Sequence, residues 1–149
     1  MTPLLLSRSR IEIGMADYVL KIIDDSFEHH ASLHYEDACR DICHDLMKSG
    51  IMEFTAIGKW WSKNEEIDII GLDEESDTVW FGECKWSTKQ VGDDIYKDIV
   101  RKSKLVEWGS KKRKNRYILF SRSGFTKRMK ELAKGEDVIL VTGNSAEQY

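Results

Sequence analysis

The spacing of apolar residues changes near Gly50, and this change restricts the chain to a fold that combines helices with a sheet. Before it, Leu33–Met47 carries apolar residues at i, i+3 and i+4 intervals, and Gly50 stands where a helix-ending glycine belongs. After it come short runs rich in β-branched and aromatic residues: Met52–Trp61, Glu66–Leu72 and Thr78–Trp86. Polar turns separate these runs, so they predict an antiparallel meander of three strands.

Helical and strand patterns alternate through the rest of the chain. The segments are a helix from Gln90 to about Trp108, a buried strand at Tyr117–Phe120, a helix at Thr126–Lys134 ended by Gly135, and a buried strand at Val138–Val141. We expect the last eight residues to be frayed. A further helix is predicted at Asp17–Phe27. The order predicts an α/β domain at residues 17–149, with a mixed central sheet flanked by helices and an extra N-terminal helix, after a tail or linker remnant at 1–16.

Composition excludes several classes of protein. Hydrophobic residues make up 41% of the chain, too many for a disordered segment. No apolar run approaches the roughly 20 residues that span a bilayer, and Leu4-Leu5-Leu6 is too short for a signal-peptide core. Three cysteines do not make a disulfide framework, and Cys39 and Cys43 lie within the helical apolar stripe, which favours core packing over zinc. We therefore expect a cytoplasmic protein without membrane contact.

The net charge of −3 hides two oppositely charged halves. Residues 1–87 hold 8 Lys/Arg and 18 Asp/Glu, and residues 88–149 hold 15 and 8. Halves of opposite sign suit a site where carboxylates hold a cation while a basic flank attracts phosphate. A solvated basic helix and loop explains the positive cluster about equally well. The candidate phosphate contacts are Arg101, Lys102, Lys104, Lys111, Lys112, Arg113, Lys114 and Arg116.

Three charged residues interrupt the apolar strands and form the main candidate site. Glu83 and Lys85 are two apart on one strand, so their side chains leave the sheet on the same face. Asp68 can face Glu83 if the second and third strands pair as a hairpin. Burying such charges costs several kcal/mol unless they are paired or bind an ion. Two carboxylates brought together repel, and a divalent cation relieves that repulsion.

Oxygen ligands of this kind select Mg²⁺ or Mn²⁺, which suits phosphodiester hydrolysis. Asp68 and Glu83 are the predicted ligands, together with the backbone carbonyl of Cys84, whose side chain points to the opposite face. Lys85 is predicted to contact the attacking water, and Glu36 on the first long helix is within reach as an accessory acid. Two alternatives remain open here: Asp68 and Lys85 form a plain buried ion pair, or Glu36 is an ordinary acid on a solvated helix face.

The order of these segments resembles the PD-(D/E)XK nucleases, especially the archaeal Holliday-junction resolvases and Mrr-type restriction enzymes. The resemblance lies in Glu36 on a helix, the segment 66–71 (Glu-Ile-Asp-Ile-Ile-Gly), the segment 82–86 (Gly-Glu-Cys-Lys-Trp) and the turn at 120–126. It implies a restriction-endonuclease-like core of order α-β-β-β-α-β-α-β, metal ligation at Asp68 and Glu83, and catalysis by Lys85. Ile67 replaces the proline that names the motif.

More narrowly, the span from about Asp17 onward resembles the C-terminal domain of unknown function attached to archaeal and bacterial ATPases. Trp60-Trp61 and the segments around Asp68 and Glu83 carry this resemblance. It implies an ATPase as parent chain or partner. The sequence has no Gly-x-x-x-x-Gly-Lys-Ser/Thr loop of its own.

The function expected from the sequence is Mg²⁺-dependent hydrolysis of DNA. A catalytically inactive nuclease-fold module that binds nucleic acid or protein beside an ATPase is the second hypothesis. A purely structural oligomerisation domain with a buried salt bridge is the third, and a homodimer is compatible with each of them.

Overall fold

The computed structural model describes residues 28–143 and 145–148, and the predicted tail at 1–16 and helix at 17–27 lie outside them. The helices are α1 (Glu28–Lys48), α2 (Asp93–Ser103) and α3 (Lys127–Glu136). The strands are β1 (Ala56–Ser62), β2 (Glu65–Asp73), β3 (Thr78–Lys85), β4 (Lys114–Ser121), β5 (Ile139–Thr142) and β6 (Ser145–Gln148). No helix in this part of the chain is long and apolar enough to cross a membrane.

The strands form one six-stranded sheet in the order β1-β2-β3-β4-β5-β6. The pairs β1–β2 and β2–β3 are antiparallel, which confirms the predicted meander. The pairs β3–β4 and β4–β5 are parallel, so the sheet is mixed as predicted. The expectation of a frayed C-terminus was wrong for residues 145–148, because β6 turns back and pairs antiparallel with β5, whose outer edge it covers.

Helices cover both faces of the sheet. Side chains alternate along β3, so that Trp80 packs in the core under α1 while Phe81 packs in the core under α2 and α3. Cys39 and Cys43 lie on α1 and are buried between that helix and the sheet, which confirms their predicted place in the core.

The predicted bounds of α2 and α3 were wrong, for local reasons. The segment before α2 is extended, since the Val91 amide bonds to the Gly124 carbonyl (2.9 Å), and α2 begins only at Asp93. Its C-terminal end comes at Ser103. Helix α3 continues through Gly135 to Glu136 and is capped by Asp137, which adopts a left-handed conformation (φ 55°) usually taken by glycine or asparagine.

A β-bulge disturbs the meander beside the charged residues. Gly58 pairs with Ile70 but Trp60 pairs with Ile67, so β2 carries one extra residue opposite Lys59, at Asp68–Ile69. The ladder between β2 and β3 ends at the pair of Ile69 and Gly82, whereas β3 stays paired with β4 as far as Lys85. The second and third strands therefore separate at the position of Asp68 and Glu83.

Candidate active site

Asp68 joins the two separating strands through its side chain. Its carboxylate is buried (7% exposed) and Oδ2 accepts a hydrogen bond from the Cys84 amide at 2.9 Å. The bulge re-aims this side chain, because an extra residue shifts the alternation of faces along β2. The bulge in β2 and the hydrogen bond from the Cys84 amide thus hold the Asp68 carboxylate beside the end of β3.

Glu83 is the least exposed acid of the site. It is 6% exposed, and its Oε1 atom has no hydrogen-bond partner within the described part of the chain. Burial raises the pKa of this carboxyl to about 7, and the negative charge of Asp68 adds to the shift. The two carboxylates therefore interact as the strand pattern predicted. Lys102 and Lys85 pull the pKa down, but at 3.9 and 3.8 Å their ammonium groups are too distant to outweigh burial.

Lys85 contacts Glu83 and remains 40% exposed. The ion pairs of the described residues include no contact between Lys85 and Asp68, so the alternative of a plain buried pair between those two residues was wrong. Lys85 is therefore open to solvent on one side and contacts Glu83 on the other.

Glu36 on α1 belongs to the same electrostatic cluster. Burial and the charge of Asp68 raise its pKa, and Lys59 donates a hydrogen bond to its Oε1 at 3.3 Å. Lys59 also lies 3.8 Å from Glu66. Lys59 was not predicted from the sequence as part of this cluster, although a lysine beside Trp60 within a strand could have indicated a cation paired with a nearby acid. The interpretation of Glu36 as a solvated surface acid was wrong, since its side chain is only 15% exposed.

The predicted phosphate contacts divide into two groups. Four of them, all lysines, are exposed and form no ion pair with the described residues: Lys104, Lys111, Lys112 and Lys114. The others are engaged within the protein. Arg101 holds Glu65 through two hydrogen bonds (3.0 and 3.1 Å), and Arg113 donates to the carbonyls of Ser103, Val106 and Trp108.

Lys102 and Arg116 complete the engaged group. Arg116 pairs with Asp137 at 2.9 Å. Lys102 is only 13% exposed and lies between Glu83 and Asp98, so the structure places it inside the carboxylate cluster, away from the exposed basic surface.

The donor set fits a hard cation with few protein ligands. Across the described ranges, no three His, Cys, Asp or Glu side chains stand close enough together to enclose a metal ion. The candidate ligands are therefore the two buried acids Asp68 and Glu83, and Glu83 has an unpartnered buried oxygen. Mg²⁺ commonly binds through one or two carboxylates while keeping several waters. The Cys84 side chain packs with the core under α1, on the face opposite Glu83 as predicted, and ligation by its carbonyl stays a prediction.

The raised pKa of Glu83 predicts a pH-dependent stability for the metal-free protein. Because folding raises this pKa from 4.5 to about 7, the fold favours the protonated form. This contribution to stability is complete below pH 4.5 and is lost as the pH rises through 7, which lowers the free energy of unfolding by about 3 kcal/mol.

Urea denaturation with a chelator between pH 4 and 8 measures this effect. Glu83→Gln should remove most of the decline, while Glu75→Gln, an exposed acid in the turn between β2 and β3, should keep it. Parallel pH profiles for the wild type and Glu83→Gln would contradict the assignment.

Comparisons with known proteins identify one family and one relative. The model of DUF234, described as archaeal and bacterial proteins of unknown function, matches residues 4–105. The uncharacterized protein MJECL04 of Methanocaldococcus jannaschii is 33% identical over 102 residues, which cover 66% of this chain and 23% of that protein. The chain thus spans about a quarter of the length of this curated relative. No solved structure matches.

Proposed function

The chain belongs to the DUF234 family of archaeal and bacterial proteins of unknown function, and we propose that it is a divalent-metal-dependent nuclease domain acting on DNA. One observation carries the proposal. Asp68 and Glu83 are buried side by side where two strands separate, with Glu83 Oε1 unpartnered and Lys85 adjacent. Such an arrangement is costly for structure alone, since burial and the charge of Asp68 both disfavour the ionised form of Glu83.

The proposed roles follow from position and charge. Asp68 and Glu83 would hold Mg²⁺ or Mn²⁺, and the ion would supply Lewis-acid stabilisation of the charge that develops on phosphate. Lys85, partly exposed and 3.8 Å from Glu83, donates a hydrogen bond to the attacking water or to a phosphoryl oxygen. The Glu36–Lys59 pair borders Asp68 on the α1 side and holds the acidic cluster in place.

The order of elements supports a restriction-endonuclease-like core. Helix α1, the meander β1–β3, α2, β4, α3 and β5 follow the α-β-β-β-α-β-α-β order, and the strand β6 is an addition at the edge. The resemblance of the segments around Asp68 and Glu83 to PD-(D/E)XK nucleases points the same way. The exposed lysines from Lys104 to Lys114 are proposed to attract the DNA backbone without sequence preference.

The relative's greater length leaves room for a larger parent protein. Because the match covers 23% of that protein, a domain of this kind can form part of a longer chain. We propose an ATPase as parent or partner, on the resemblance described above, and a cytoplasmic location. A homodimer is compatible with this arrangement.

Incubation with supercoiled plasmid DNA tests the proposed activity. The full chain is expected to nick or linearise the plasmid with millimolar Mg²⁺ or Mn²⁺ and to leave it intact with a chelator. A four-way junction and a single strand serve as further substrates. No cleavage of any of these with either metal would overturn the nuclease proposal and favour an inactive binding module.

A further inference from the structure

An arginine stacks on a tryptophan twice in this region, once between β3 and β4 and once between the residues that directly follow them. The Arg116 guanidinium lies 4.3 Å from the centre of the Trp80 ring, and the Arg122 guanidinium lies 4.3 Å from that of Trp86. Trp80 and Arg116 are register partners in the parallel ladder, and Trp86 and Arg122 follow six residues later on each chain segment. The same local contact therefore stands near both ends of these strands.

The two arginines differ in how their charge is balanced. Arg116 forms an ion pair with Asp137 at 2.9 Å. Arg122 has no ion pair with any residue that the structure describes, and its hydrogen bond to the Lys85 carbonyl uses the backbone amide and leaves the side chain out. Stacking on an aromatic ring offsets part of the cost of holding a cation at a half-buried position, but it leaves the guanidinium N–H groups without an acceptor.

Arg122 is also attached to the strand that carries the proposed catalytic residues. Its amide donates to the Lys85 carbonyl at 3.1 Å, and the Ser123 hydroxyl donates to the Ser87 carbonyl at 2.5 Å. Gly124, with φ +86°, makes the turn that follows. The position of Arg122 relative to the end of β3 is thus set by backbone contacts.

We propose that Arg122 binds a phosphate of the DNA backbone next to the one that is cleaved. This inference rests on the proposed DNA substrate. A guanidinium presents paired N–H donors that match phosphate oxygens, and its stacking on Trp86 reduces the entropy lost on binding. Lys85 faces the α2 side with Glu83, whereas Arg122 lies over Trp86 on the α1 side, so the two cations contact different phosphates.

Fluorescence anisotropy with a short labelled DNA duplex tests this inference without cleavage, because a chelator is present throughout. Arg122→Gln is expected to weaken binding about tenfold and to reduce the slope of log K against log salt by about one unit. Arg122→Met keeps an aliphatic side chain over Trp86 and should show the same loss. Arg122→Lys should retain most of the salt slope.

Arg116→Gln is the matched control, since it removes the same stacking contact at the other end of the strands. It should change binding less than twofold. The inference is overturned if the Arg122 variants bind like the wild type, if Arg116→Gln loses as much affinity, or if the wild type does not bind DNA. If DNA binding depends on Arg122 but the plasmid is not cleaved, only the nuclease proposal is overturned. If the plasmid is cleaved but the Arg122 variants bind DNA like the wild type, only the phosphate site is overturned.

Discussion

Replacing Lys85 by alanine is expected to lower the rate of DNA cleavage by about 10²–10³-fold, the usual effect of removing one charge-stabilising donor from an active site. The Lys85 ammonium lies 3.8 Å from Glu83, and the Lys85 side chain is 40% exposed. Replacing it therefore removes the positively charged group that is best placed to reach a substrate. Metal binding should persist, because Asp68 and Glu83 are unchanged.

Single-turnover plasmid cleavage at saturating Mg²⁺ measures this effect. Lys97→Ala provides a control, since Lys97 is an exposed lysine of α2 whose contact is with Asp93 in its own helix. That variant should cleave at the rate of the wild type. Equal cleavage by Lys85→Ala and the wild type would remove Lys85 from the mechanism, and thermal unfolding of each variant checks that the fold is retained.

Asp68→Asn is expected to weaken binding of Mn²⁺ or Mg²⁺ by at least about a hundredfold, since even a residue that only supports a ligand changes affinity about 10–100-fold. The asparagine Oδ1 atom can still accept the hydrogen bond from the Cys84 amide, so the link between β2 and β3 should survive. Loss of the Asp68 charge should also lower the pKa of Glu83, because that charge contributes to its elevation.

Titration calorimetry with Mn²⁺ tests the metal prediction. Asp73→Asn is a suitable control, because Asp73 is also buried on β2 but lies at the opposite end of the strand and accepts a hydrogen bond from Ser76. It should bind metal like the wild type. A wild-type protein that binds no divalent ion at millimolar concentration would favour the inactive nuclease-fold module instead.

The same pair of variants separates metal ligation from a structural role. If the cluster serves only stability, Asp68→Asn should lower the melting temperature with and without Mn²⁺ by the same amount. If it holds an ion, Mn²⁺ should raise the melting temperature of the wild type and leave that of Asp68→Asn unchanged, because only a ligand that binds the folded state stabilises it.

The sequence by itself determined the mixed α/β class, the antiparallel meander and the proximity of Glu83 to Asp68 and Lys85. Each of these follows from local rules, since a period of two places Glu83 and Lys85 on one face and a buried charge needs a partner. The roles drawn from the resemblance, including metal ligation, remain proposals.

Only the tertiary structure decided how the charges are shared. Three features depend on elements that are distant in sequence. They are the β-bulge at Asp68–Ile69, the contacts of Lys59 and Lys102 with the buried acids, and the contacts of Arg101, Arg113 and Arg116 with other groups of the protein. Charge patterns along a chain do not reveal which cation meets which carboxylate, because an ion pair depends on positions in space. For the same reason, only the structure distinguishes Arg122 from Arg116. Both stack on a tryptophan, but Arg116 is paired with Asp137.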